Sequence, residues 1–275
     1  TQYRIASNIN FRTKKINFFT NLGYRNSSSP GNFLTNLSTF ENESVNSLRI
    51  EDRDFERKRN GYNINLGLEY FLSNESSITG TYFYRDSDNK NLSTNAIQVF
   101  DVNNILEYSD VRVQDEDEID ETSQISLNYT NNINNSGHKL TIDFQYSDSK
   151  ENEEAINTEP GFIDETNITN EASMNTLVQA DYVLPIGENA QFEFGFKADL
   201  NKLTTDYLVE DFNSETNQFF NNTNFSNTLN FDQDVYACAT SRTALHPGDK
   251  AELRFQRDPA RGRILRDEAR QWTGD

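Results

Sequence analysis

Cysteine, methionine and tryptophan occur once each in this chain, histidine twice and proline five times among 275 residues. A single cysteine, Cys238, excludes an intramolecular disulfide framework and a multi-cysteine metal site. The two histidines, His138 and His246, are remote from each other. Neither has the cysteine, serine or carboxylate spacing that a zinc cluster or nucleophilic triad needs, and His138 reads as an exposed turn residue. Cations are scarce, with 25 Lys and Arg against 44 Asp and Glu and a net charge of −19. That balance argues against nucleic acid as a partner, because phosphate binding relies on Lys and Arg clusters. No apolar run approaches the roughly 20 residues of a membrane-spanning helix. Gly137, Gly187 and Gly195 form no phosphate loop, nothing calls for a cofactor, and no spacing supports enzyme activity. No signal peptide opens the chain: Thr1-Gln-Tyr-Arg-Ile5 reads as mid-strand, so the start is read as a cut end.

What is abundant is aromatic. Twenty Phe and 12 Tyr stand in a chain only 34% apolar and 25% charged. The low apolar content borders on the disordered class, but disordered chains are depleted in aromatics. A soluble globule of this size would want more aliphatic residues for its core. A sheet with one face in water would not.

The pattern is clearest from Ser123 to Ser147. Leu140, Ile142, Phe144 and Tyr146 alternate with Thr141, Asp143, Gln145 and Ser147, a period of two that marks a strand with one apolar side. Ile125, Leu127 and Tyr129 alternate in the same way, and Asn134-Asn-Ser-Gly137 between the two runs suits a tight turn. The hairpin recurs along the chain. Tyr3 to Phe11 and Ile16 to Tyr24 make one copy; Tyr62 to Tyr70 and Ser77 to Arg85 make another, although Phe83 falls opposite Ile78, Tyr82 and Tyr84. Val178 to Leu184 and Phe192 to Leu200 make a fourth, and Thr228 to Ala237 adds a ninth strand.

Short turns are expected near residues 13, 74, 136 and 187. Long polar connections are expected over about 26–56, 86–121, 148–172 and 204–225, with 97–102 and 109–113 as possible strand extensions. Amphipathic strands of about ten residues, with short turns at one rim and long loops at the other, describe a transmembrane β-barrel of the outer-membrane type. The expected fold is therefore all-β, an antiparallel up-and-down meander of about eight or nine amphipathic strands. It would be an open curved sheet if alone. A soluble β-sandwich or solenoid is the alternative, since alternation occurs there too.

Outer-membrane lipid is the partner expected for the apolar face, with Leu140, Ile142, Phe144, Tyr146, Phe192, Phe194 and Phe196 facing it. Asp143, Gln145, Glu193, Lys197 and Asp199 are expected to line the lumen. Tyr24, Tyr70, Tyr82, Tyr84, Tyr129, Tyr146 and Tyr182 fall towards strand ends, where aromatic girdles belong. The acidic run Asp115 to Glu121 offers carboxylates for a hard cation, but it lacks an EF-hand spacing and reads as a solvated loop.

Composition changes abruptly after Ala237. Residues 238–275 contain no Asn and no Tyr, and hold eight basic residues against six acidic ones. The body favours residues of AT-rich codons and the tail those of GC-rich codons, which suggests a broken reading frame near Tyr236-Ala-Cys238; the alternative is a genuine basic tail. Two units follow: 1–237, a partial outer-membrane β-barrel, and 238–275, a foreign tail expected to pack poorly. Cys238, His246 and Trp272 receive no functional role.

The strand succession resembles the outer-membrane β-barrel region of TonB-dependent receptors. The resemblance lies in Asn63-Ile-Asn-Leu-Gly-Leu-Glu-Tyr70 with its Ser73-Asn-Glu turn, Ser77-Ile-Thr-Gly-Thr-Tyr-Phe-Tyr-Arg85, Ser126-Leu-Asn-Tyr129, Gly137 to Ser147, and Asn230-Phe-Asp-Gln-Asp-Val-Tyr-Ala237. It covers about residues 1–237. It implies a barrel of about 22 strands, closed by a plug domain, that imports a scarce ligand with energy relayed through TonB. By that resemblance the chain is a fragment of barrel wall, whose partners are the rest of the barrel, the plug, TonB and an unknown ligand. No ligand-binding residue transfers. The alternative function is a complete eight-stranded barrel with a structural or adhesive role. It would pair Tyr3–Phe11 with Gln191–Leu200 or Thr228–Val235.

Overall fold

The structure, a computed structural model, describes residues 1–41, 44–159, 162–187, 190–244 and 254–256. Among them lie eleven strands: β1 (Gln2–Arg12), β2 (Ile16–Glu41), β3 (Ser44–Phe71), β4 (Ser76–Phe100), β5 (Leu106–Asn132), β6 (Lys139–Glu159), β7 (Phe162–Ile186), β8 (Ala190–Asn213), β9 (Gln218–Asn221), β10 (Asn227–Ala244) and β11 (Arg254–Gln256). They make one antiparallel sheet in which each strand from β1 to β8 pairs with the next. β10 and β11 follow β8, and β9 hangs on β8. Among the described residues β1 pairs with β2 alone, so the sheet is open. The pairings that an eight-stranded closure would need are not made there.

Directly opposed residues of an antiparallel pair share a face, so the register turns the strand patterns into one surface. Phe11, Phe18, Leu68, Gly80, Leu127, Phe144, Val178 and Ala198 fall in successive opposed pairs. The neighbouring row runs Ile16, Tyr70, Ile78, Tyr129, Ile142, Ala180, Phe196 and Cys238. Eight strands therefore present one continuous apolar band. On β3 it reaches from Tyr62 to Tyr70, close to the 9–11 residues with which a tilted strand crosses a bilayer.

The band stays uncovered: Phe18 is 38% and Leu68 49% exposed. The only buried apolar side chains among the described residues are Ile97, Ala155, Ala198 and Val209, and none is large and fully enclosed. This sheet has no core in the soluble sense. A two-sheet sandwich would bury that face against a second sheet, and none among the described residues covers it.

The strands run far past the band. β2 to β8 are 21–28 residues long. The polar connections expected over 26–56, 86–121 and 148–172 are thus strand for almost their whole length, and 204–213 extends β8. The acidic run 115–121 lies within β5 and is not a loop. Reversals are tight, for example from Phe100 to Leu106, where Asp101 Oδ1 accepts from the backbone N–H of Asn103 (2.9 Å) and Ile105 (2.7 Å).

The physical reason is that ladder pairing does not need an apolar side. Polar cross-strand pairs hold the extension, such as Ser28 with Glu56 at 2.8 Å, Thr39 with Ser47 at 2.6 Å and Lys90 with Asp117 at 2.8 Å. Neither face meets lipid there and both carry polar residues, so no apolar period of two survives in the composition.

The short turns fall as expected. In the hairpin at 133–138, Asn134 Oδ1 accepts from Ser136 N–H at 3.0 Å, and Gly137 takes a φ of 91°. The compositional boundary at 237/238 falls inside β10, whose residues up to Ala244 continue the ladder with β8. His246 and Trp272 lie outside the described residues.

Candidate functional site

The polar face is the concave one. Seven of the nine buried residues lie on it: Ser27, Ser93, Asn95, Ile97, Ala155, Asn157 and Val209. All five residues expected to line the lumen share this face. Asp143 stands in a row with Gln179 and Lys197, and Gln145 in the next with Leu177 and Asp199; Glu193 lies opposite Val183 and Ser241. The seven residues expected to face lipid share the opposite side. Leu140 aligns with Tyr182 and Phe194, Tyr146 with Thr176, and Phe192 with Leu184.

At the level of the apolar band the polar side chains satisfy one another. Asn128 Nδ2 donates to Asp143 Oδ1 at 2.5 Å, Asn175 Nδ2 to Asp199 Oδ1 at 2.9 Å, and Lys197 Nζ lies 3.1 Å from Asp199 Oδ2. These residues form a hydrogen-bonded lining in which Lys197–Asp199 is the ion pair at this level among the described residues.

Above the band the concave face divides by charge. On β3 the odd positions put Arg49, Arg53, Arg57 and Arg59 on this side. Alternation splits the acidic run on β5: Glu116, Glu118 and Asp120 join the concave face, and Asp115, Asp117 and Glu121 point away. The next strand adds Glu151 and Glu153. The carboxylate oxygens of Glu118, Asp120 and Glu151 come within 4.8 Å of one another, as do those of Glu116, Glu118 and Glu153. Burial, together with the neighbouring Asp120 carboxyl, pushes the Glu118 pKa up to about 7. Burial likewise raises those of Glu151 and Glu153, where adjacent carboxylates add to it.

Between the two zones lies a trough of about 730 Å³ that spans β1 to β6. Its lining includes Arg4, Arg25 and Arg59 at one end and Arg85, Glu118, Asp120 and Glu151 at the other. Arg85 lies 3.7 Å from Asp120, which also accepts from Ser87 Oγ at 3.0 Å and Asn89 Nδ2 at 3.1 Å. Nearer the rim, Arg112 reaches across β6 to Glu165, and Asn95 Nδ2 donates to Glu51 at 3.1 Å. His138 plays no part here. Its Nε2 meets Tyr182 OH at 2.7 Å beside the turn.

The trough was not legible in the sequence. Only the register brings Arg59 beside Arg25 and Arg4 and sets them across from the acids of β5 and β6.

Residues 131–241 match the model of the outer membrane protein beta-barrel family. That stretch runs from the end of β5 into β10, and the match locates the chain in the outer membrane. No curated protein matches the chain. Among solved structures, the ferric yersiniabactin uptake receptor FyuA from Yersinia pestis is similar at 9% identity and a TM-score of 0.41. The similarity covers 92% of this chain and 48% of that one, so the chain spans about half the length of that receptor.

Proposed function

We propose that the chain is a segment of the wall of an outer-membrane receptor barrel that imports a scarce ligand. The observation that carries this reading is the two-sided wall. A continuous apolar band suits lipid, and the concave polar face bears a charged trough immediately above it. In this reading Leu140, Ile142, Phe144, Tyr146, Phe192, Phe194 and Phe196 meet lipid, and Asp143, Gln145, Glu193, Lys197 and Asp199 line the lumen. The paired strands above the band form a rigid chamber through which a solute reaches membrane level.

The open edges support a place within a larger wall. Unpaired N–H and C=O groups of an edge strand are not tolerated in lipid. More strands are therefore required at both edges, and the resemblance to TonB-dependent receptors adds a plug domain and TonB as partners. A closed eight-stranded barrel with an adhesive role would instead need β1 to meet β8 or β10.

The test is depletion of solutes from the medium by cells with and without the intact gene. Import predicts that at least one solute is depleted only by cells carrying the gene, and that a protonophore abolishes its uptake. Identical depletion profiles would sink the import reading.

A further inference from the structure

One register row crosses the trough. Arg4 opposes Arg25, Arg25 opposes Gly61, Gly61 opposes Ser87, Ser87 opposes Asp120, and Asp120 opposes Glu151. Two cations stand at one end, two small residues form the floor, and two acids stand at the other end.

The cationic end is only partly satisfied: the Gln2 amide oxygen accepts from Arg4 Nη2 at 3.0 Å, and Arg25 is left over. Like charges directly opposed on an antiparallel pair repel, as Arg4 and Arg25 do. Neither they nor Arg59 has an ion-pair partner among the described residues, although the chain carries 44 acidic residues. The Arg25 Nε–H is shielded from solvent and meets no acceptor. A guanidinium in that position is a bidentate donor awaiting an oxyanion.

The floor is low. A Cβ on Gly61 would lie 2.8 Å from the Asp86 carbonyl oxygen, so β4 crowds the position and keeps it glycine, and Gly61 and Ser87 raise no large side chain between the two charged ends. The acidic end carries more carboxylate than Arg85 neutralises, which leaves Glu118 and Glu151 to a cationic group. A simple anion would fit the first end but be repelled by the second. A simple cation would meet the reverse.

We propose that the trough binds a short linear zwitterion, a peptide with free termini. Its carboxylate sits against Arg25, with Arg4 beside it, its ammonium against Asp120, with Glu151 beside it, and its backbone lies across Gly61 and Ser87. β2 and β5 are three strand spacings apart, about 14 Å at 4.7–4.9 Å each. An extended tetrapeptide spans a comparable ~13–14 Å. The proposal rests on the import reading for its biological setting, but the binding itself needs no energised membrane.

The test is calorimetric titration of the intact barrel, in detergent and with a chelator present, against tetra-alanine in three forms: free, N-acetylated and C-amidated. Free tetra-alanine is expected to bind, and each blocked form to bind at least tenfold more weakly. Arg25→Gln should weaken the free peptide about tenfold and leave the affinity for the C-amidated form unchanged; Asp120→Asn should do the same for the N-acetylated form. Heat-modifiable gel mobility shows that each variant is folded, and Arg4→Gln replaces Arg25→Gln if that variant is not. No binding of the free peptide, equal affinity for all three forms, or the same loss for free and amidated peptide in Arg25→Gln would each overturn the site. Gene-dependent import of other solutes alongside absent peptide binding would leave the import reading standing. Peptide binding without gene-dependent depletion would sink import and leave the site.

Discussion

The ring of Phe19 occupies the space that a Cβ on Gly67 would take: its nearest carbons would lie 2.1 and 2.2 Å away. The two residues are directly opposed on β2 and β3, and they sit on the polar face, where a phenylalanine is out of pattern. Covering a glycine in this way shields bare backbone and pins the register. Gly67→Ala should destabilise the folded barrel by about 1–3 kcal/mol through overpacking. Adding Phe19→Ala should remove most of that penalty. Urea unfolding in vesicles of the two single variants and the double variant measures the coupling, and strict additivity would disprove the contact.

A second prediction separates the two faces. Phe144 and Gln145 are neighbours on β6 and point to opposite sides. If the apolar band meets lipid, Phe144→Arg should cost about 2–4 kcal/mol, and Gln145→Arg, in the watered lumen, less than about 1 kcal/mol. Equal costs would contradict the assignment of faces.

These two residues also show why part of the fold was legible and part was not. Alternation of Leu140, Ile142, Phe144 and Tyr146 against polar neighbours is visible because lipid and water impose opposite chemistries on the two sides. The same strand continues through Ser149 to Glu159, where the outer side is wet and the concave side is partly buried but polar, so the apolar alternation stops. Pairing there is held by backbone ladders and by contacts such as Ser149 with Thr122 at 3.1 Å. Composition carries no trace of them, so strands read as loops. The trough was hidden for a related reason. Arg25, Asp120 and Glu151 are far apart in sequence, and only register aligns them.

The third prediction concerns pH. The Glu118 pKa, pushed up to about 7 from an ordinary value near 4.5, belongs to a carboxyl flanked by Asp120, Glu116, Glu151 and Glu153, with Arg85 on Asp120 and Arg59 in the same register row. A raised folded-state pKa means that the folded wall binds more protons than the unfolded chain between those two values. Stability from this cluster is therefore fully present below about pH 4.5 and is lost as pH rises through about 7. Amide hydrogen exchange of residues 116–121 should accelerate over that window beyond its intrinsic pH dependence, and Glu118→Gln should flatten the excess. An excess that persists unchanged in the variant would rule out Glu118 as its source.

The Arg112–Glu165 pair spans two strand spacings near the rim, yet it should matter little to stability. Its side chains remain 40% and 26% exposed, and water-screened pairs contribute about 0–1 kcal/mol. Arg112→Ala should shift the unfolding free energy by less than about 1 kcal/mol. A larger loss in urea unfolding would mean that the upper wall depends on this bridge.

The last prediction bears on the compositional junction. Cys238 is the first residue of the stretch whose composition breaks with the body, yet it opposes Phe196 in a row that continues through Ala180 and Ile142. If β10 crosses the bilayer beyond Tyr236, its thiol lies in hydrocarbon. A membrane-permeant maleimide should then label it in intact vesicles, and a charged methanethiosulfonate should not until detergent is added. Rapid labelling by the charged reagent in sealed vesicles would mean that the lipid-embedded part of β10 ends before Cys238. The foreign composition would then mark a structural boundary as well as a chemical one. Protection would instead mean that the apolar row continues past the junction, because a strand needs only backbone pairing and a small apolar side chain at that position to extend the band.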